Sequence, residues 1–212
     1  PPGDFCFVAF GFPIAFLPCR CGANESNLGR AGVRVLVGFV RAVDGLNEWV
    51  GRITAWLTLV TVLVCATVVL LRYAFSIGFV WLQELYVWTY ALVFMLGAGY
   101  ALKRGGHVRV DIFYANMSRR ARAMVDLFGT LLFLLPWLAV VGFVSWPYIG
   151  ASWHIYEASA QTGGMPGLFL LKTALLGFCV LLGLQGLAVA ARSLLVLNGR
   201  EDLLPPADEA RA

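Results

Sequence analysis

Charge is scarce in this chain: only 13% of its 212 residues are Asp, Glu, Lys or Arg, against 60% hydrophobic. With a mean hydropathy of +0.79, that balance lies beyond what a water-soluble domain can bury, and it implies an integral membrane protein. Histidine is scarcer still. His107 and His154 are the only two, and both fall outside the apolar runs, on opposite sides of the predicted membrane, so one haem iron between facing helices is excluded. The five cysteines are odd in number, and Cys65 and Cys179 sit within apolar runs as small hydrophobic residues, so no disulfide framework or metal set is implied. No nucleophile with a base and no phosphate-cradling glycine loop is present, which argues against an enzyme and against a cofactor. A formal net charge of +4 suggests an anionic partner, but the basic residues flank apolar runs and do not interleave with aromatics. That points to membrane lipids and not to nucleic acid.

What the chain has in abundance is long apolar sequence. About 20 apolar residues cross a hydrocarbon core of about 30 Å, and four runs qualify: 53–71, 85–102, 125–149 and 168–191. Pro136 and Pro147 predict a tilt or kink in the third. Ahead of the first, Val33, Leu36, Val37, Val40, Val43, Leu46, Trp49 and Val50 recur at helical spacing, with Arg34, Arg41, Asp44 and Glu48 assigned to the other side. This predicts an amphipathic helix over 33–52 lying on the interface. Residues 1–32 read as a disordered extension, as terminal segments commonly are, and lack the basic n-region of a signal peptide; 198–212 read as a cytoplasmic tail. The expected fold is thus an all-α membrane protein of four transmembrane helices plus one interfacial helix.

Orientation follows from the basic residues. Six of the sixteen (Lys103, Arg104, Arg109, Arg119, Arg120 and Arg122) fall between the second and third runs, while the other two loops hold only Arg72. The positive-inside rule then places both termini in the cytoplasm. Trp81, Tyr86, Trp146, Tyr148, Trp153 and Tyr156 fit an aromatic belt on the outer face. Gly105 and Gly106 allow a sharp bend after the second run, and Val108, Val110, Ile112 and Phe113, set among Arg109 and Asp111, suit a short interfacial element or, with His107, a docking surface. Lys172 lies just inside the outer end of the fourth run, where it either snorkels or meets a partner's carboxylate, and Glu84 at the start of the second has the same two readings. Arg72 is placed to cap the last carbonyls of the first run. Gly97 with Ala101, and Gly186 with Ala190, are small-xxx-small pairs that permit close helix approach. Mid-depth carboxylates and matched broken helices, which a self-sufficient carrier needs, are missing.

Taken in order, Arg72-Tyr-Ala-Phe, Trp81-Leu-Gln-Glu84, Leu96-Gly-Ala-Gly-Tyr-Ala-Leu and Gly106-His107-Val-Arg109-Val-Asp111 resemble the small permease subunit of TRAP (tripartite ATP-independent periplasmic) transporters, the DctQ-like family. The likeness runs from about Asp44 to Leu197 and includes Ser118 to Asp126 and Gly163 to Thr173. It implies a bacterial inner-membrane protein that braces the scaffold of a large permease subunit. That partner would carry the substrate and sodium sites, and a periplasmic solute-binding protein would deliver a small organic anion. Arg72, Trp81, Glu84, Gly106, His107, Arg109, Asp111 and Lys172 then become architectural or subunit-interface residues. The competing expectations are a self-sufficient homo-oligomeric transporter and a non-transport structural or redox anchor.

Overall fold

The computed structural model describes residues 27–106 and 117–199, and among these every regular element is helical. In chain order they are α1 (Asn27–Ala74), α2 (Val80–Lys103), α3 (Arg119–Gly129), a π-helical turn (Thr130–Leu134), α4 (Leu135–His154) and α5 (Leu168–Leu197). α3, the turn and α4 are continuous, so four helical rods are long and apolar enough to cross a membrane. Each predicted run lies inside one of them.

The predicted interfacial helix is not a separate element. Residues 33–52 and 53–71 form one helix, because no proline lies between Pro18 and Pro136 and nothing else breaks the backbone hydrogen-bond ladder at Arg52. What changes at Ile53 is the side-chain chemistry, not the chain direction. Forty-eight residues at about 1.5 Å each give a rod of about 72 Å, well over the thickness of a bilayer.

The amphipathic pattern is also rotated from the one expected. Val40 and Val43 are buried against Ala188 and Ala191 of α5, with Leu36 and Leu184 at the margin. Leu46 and Trp49 point outward, because a spacing of three residues drifts around a helix with 3.6 per turn. Asp44, assigned to the polar side, is instead on the buried face beside Asn47.

α5 is the centre of the molecule: it packs against α1 and α2 on one side and against α3, the π-turn and α4 on the other. The glycines of the two small-residue pairs lie against neighbouring helices, Gly186 more tightly than Gly97. A Cβ on Gly186 would stand 2.8 Å from Leu134 Cδ2 and 3.3 Å from Thr130 Cγ2, so α5 lies closely against the wide π-turn, and a side chain there would make Leu134 shift. The turn itself follows from Pro136. A proline ring collides with the carbonyl four residues back, and here the Leu135 N–H reaches Thr130 O, five residues back, which widens the helix just before the proline. At Gly97, the Thr54 methyl lies 3.4 Å from the Cβ position.

Two helix boundaries matter for the loops. Gly105, at φ 70°, ends α2, with its N–H donating to Leu102 O at 3.1 Å and that of Gly106 to Ala101 O at 2.8 Å. The bend expected at this pair is therefore a helix-terminating Schellman motif with Gly105 in the left-handed region. Arg119, Arg120 and Arg122, read from sequence as loop residues, begin α3, whose N-cap Ser118 Oγ accepts the Ala121 N–H at 3.3 Å.

Candidate functional site

The polar side chains that tie one element to another, among the described residues, gather toward the two ends of the rods, while threonines between them donate to carbonyls of their own rods. At the end where α2 and α5 finish, α1 is tied to both. Asn47 Nδ2 donates to Gln185 Oε1 at 2.8 Å and to Val43 O at 3.2 Å, and Gln185 Nε2 donates to Asp44 Oδ1 at 3.2 Å. The other Asp44 oxygen accepts from Arg192. One turn on, Lys103 Nζ meets Glu48 Oε2 at 2.6 Å, with Arg104 at 3.5 Å from Oε1 and stacked over the Tyr100 ring. Asn47 and Gln185 are wholly enclosed, so each hydrogen bond replaces one that neither lipid nor packed side chains can offer.

The fit at this joint depends on Gly99. Its missing Cβ would lie 2.3 Å from Asn47 Oδ1 and 3.4 Å from Leu181 O, so α1, α2 and α5 meet at one glycine. Asn47 Oδ1 has no hydrogen-bond partner, which is the cost of aiming the amide nitrogen at Gln185. Gly51 makes the second such contact, with the Tyr100 ring 2.5 Å from its Cβ position. Sequence reasoning singled out neither Asn47 nor Gln185. Their signal was two amides in otherwise apolar or amphipathic helices, visible only as isolated letters before their pairing was known.

At the other end the connections run through the 155–167 loop. Glu84, near the start of α2, accepts from Ser159 Oγ and from the Met165 N–H, the latter at 2.7 Å. Glu157 accepts from Ser152 Oγ at 2.7 Å and from Lys172. The Lys172 ammonium also lies 4.1 Å from the Tyr148 ring centroid. Lys172 is thus neither a lone snorkelling cation nor dependent on another chain's carboxylate, because Glu157 of the same chain supplies the counter-charge. These two donors hold the Glu157 carboxyl below the usual carboxylate range, Lys172 first and Ser152 second.

Trp153 Nε1 donates to Thr173 Oγ1 at 2.9 Å, and Phe169 packs edge-on to Trp153 and Tyr156. Beside them a cavity of about 370 Å³ opens between α4 and α5, lined by Trp146, Ile149, Gly150, Trp153, His154, Thr173 and Leu176. His154 is the last residue of α4 rather than part of a loop.

The remaining candidates separate. Trp81 is half-exposed beside Phe79 near the start of α2. Arg72 is exposed in the last turn of α1 and does not cap it: Leu71 O accepts instead from the Phe75 and Ile77 N–H groups, at 3.2 and 3.0 Å. Gly106 closes the end of α2, where a Cβ would come within 3.3 Å of Ala101 O. His107, Arg109 and Asp111, with the interfacial element expected over 108–113, lie outside the described residues. Among the described candidates, the structure brings Glu84 and Lys172 to the same loop and leaves Arg72, Trp81 and Gly106 apart from it.

This is the arrangement of a bundle whose polar groups hold helices and one loop in place. The buried hydroxyls of Thr54, Thr89 and Thr130 donate to carbonyls on their own helices, and no group of three or more metal-ligating side chains occurs among the described residues. No curated protein and no solved structure matches the chain. The family model for the DctQ component of tripartite ATP-independent periplasmic transporters matches residues 60–196, from within the first apolar rod to the end of the fourth. The chain therefore belongs to the DctQ family, the small permease component of these transporters.

Proposed function

We propose that the chain is the small membrane subunit that braces the scaffold of a large permease subunit. The complex carries out sodium-coupled, binding-protein-dependent uptake of a small organic anion across a bacterial inner membrane. The observation that carries this reading is the family match over residues 60–196, joined to the way the buried polar groups are spent. A translocation path needs polar groups free to meet an ion or a substrate. Apart from one amide oxygen pressed against Gly99, the enclosed side-chain polar atoms among the described residues are already hydrogen-bonded. Substrate and sodium sites then belong to the partner, and this chain acts as an architectural subunit rather than an enzyme.

Both termini lie in the cytoplasm in this reading, by the basic-residue count. The joint around Asp44, Asn47, Gln185 and Arg192 is then on the cytoplasmic side, and the Glu84 and Glu157 clamps face the periplasm. His107, Arg109 and Asp111 are assigned to the subunit contact on the cytoplasmic side, and Arg72 and Trp81 to the periplasmic rim.

The test is co-expression of the tagged full chain with its large membrane subunit, mass spectrometry of the purified complex, and uptake into liposomes with added binding protein. A one-to-one complex is expected, with uptake that requires this chain and a sodium gradient. Transport by this chain purified alone would overturn the reading.

A further inference from the structure

α1 presents opposite faces of different chemistry. Val40, Val43, Asn47 and Thr54 turn into the bundle. At about 100° per residue, Arg41, Gly45, Trp49, Arg52 and Trp56 fall on the other side of the helix, and all five are exposed. The two indoles face outward, with Trp49 63% and Trp56 72% exposed. Nothing lies within 4 Å of the Cβ position of Gly45, so the backbone between Arg41 and Trp49 is open. Arg52 acts on Glu48 only as a nearby charge, since that carboxylate is already held by Lys103 and Arg104. Arg41 is joined to no described side chain.

Position along the helix determines what this stripe can hold. Trp56 lies within the uncharged run that starts at Ile53, Arg52 and Trp49 stand at its edge, and Arg41 is about 16 Å further along the axis. An occupant must therefore be apolar at one end and anionic at the other, in that order along the rod. A membrane phospholipid with a net negative headgroup has this polarity. A guanidinium fork matches two phosphate oxygens, and indoles favour the boundary between acyl chains and headgroups. An acidic protein segment would satisfy the arginines but not the indole at hydrocarbon depth.

We propose that Arg41, Trp49, Arg52 and Trp56 form a binding stripe for an anionic phospholipid, its phosphodiester held by Arg52, its acyl chain lying along Trp56, and Arg41 adding positive charge on the headgroup side. The proposal rests on where α1 enters the hydrocarbon and not on the transport reading. Failure of uptake in the experiment above therefore leaves it standing.

The full chain is reconstituted in phosphatidylcholine vesicles in which an equal minority of the lipid is brominated phosphatidylglycerol or brominated phosphatidylcholine, and tryptophan quenching is compared. Brominated phosphatidylglycerol should quench more strongly. The excess should vanish in Trp49→Phe/Trp56→Phe, which removes the reporters, and inorganic phosphate in the buffer should not diminish it. In Arg41→Gln/Arg52→Gln the apparent preference should fall about five-fold per arginine, the factor that follows from about 1 kcal/mol per cation near an anionic surface. Arg41→Lys/Arg52→Lys, which keeps the charge, should retain part of the preference and shows that loss in the glutamine variant is not misfolding. Equal quenching by the two lipids, an excess that survives the glutamine variant, or an excess that survives loss of both indoles would overturn the proposal. So would indoles that lack headgroup preference and become shielded only when the large subunit is added, which would assign the stripe to a protein contact.

Discussion

The two ends of the bundle are held by different means. At the end where α2 and α5 finish, side chains bond helix to helix, with Asn47 to Gln185, Asp44 to Gln185 and Arg192, and Glu48 to Lys103. At the opposite end the bonds run from helices to a loop, with Glu84 to Ser159 and Met165, and Glu157 to Ser152 and Lys172. The first arrangement makes α1, α2 and α5 one unit, while the second makes a surface segment conform to helices already in place. In lipid, apolar side chains gain little by touching one another, so close approach and hydrogen bonds decide which helices stay together. The comparison therefore predicts a global effect from damage at the first end and a local effect from damage at the second.

The largest effect should come from Gly99→Leu. The added side chain would meet Asn47 Oδ1 and separate three helices, with a loss near the upper end of the roughly 1–3 kcal/mol expected for an overpacked core. Thermal unfolding in detergent measures this, and Asn47→Ala in the same chain should recover part of the loss by removing the obstructing amide. A Gly99→Leu protein that melts like the parent would show that the helices do not meet there.

A smaller, confined effect is expected from Glu84→Ala. Two donors lose their acceptor, at a cost of about 1 kcal/mol each, and the loop from Tyr156 to Gly167 should exchange its amide hydrogens faster while α1, α2 and α5 keep their protection. Faster exchange in α1 as well would mean that the two ends are mechanically one.

The smallest effect is on acidification. The Glu157 carboxyl is depressed in the folded protein, so its contribution is present above the ordinary glutamate pKa and is lost as pH falls through the lower folded value. Loop exchange should rise across that acidic window and be flat at neutral pH. In Glu157→Gln the acid response attributable to this group should be gone.

The sequence alone determined that the protein lives in a membrane, that it has four rods, and that it belongs with a transporter's small subunit. Each of these depends on properties carried by consecutive letters: the length of an apolar run, the presence of charges between runs, and an ordered set of short motifs. Gly186 and Gly97 were legible as close-approach positions for the same reason, since a small residue at the right spacing is a local fact.

Tertiary structure alone decided which side of α1 is buried, because Val40, Asp44 and Trp49 all lie on a pattern that fits several rotations until α5 selects one. It joined the amphipathic stretch to the first rod, since a change from polar to apolar side chains does not interrupt a backbone ladder. It also gave Lys172 its partner in Glu157, fifteen residues away across a turn, and Asn47 its partner in Gln185, 138 residues away. Pairings of this kind depend on where two rods cross, and no local pattern encodes a crossing.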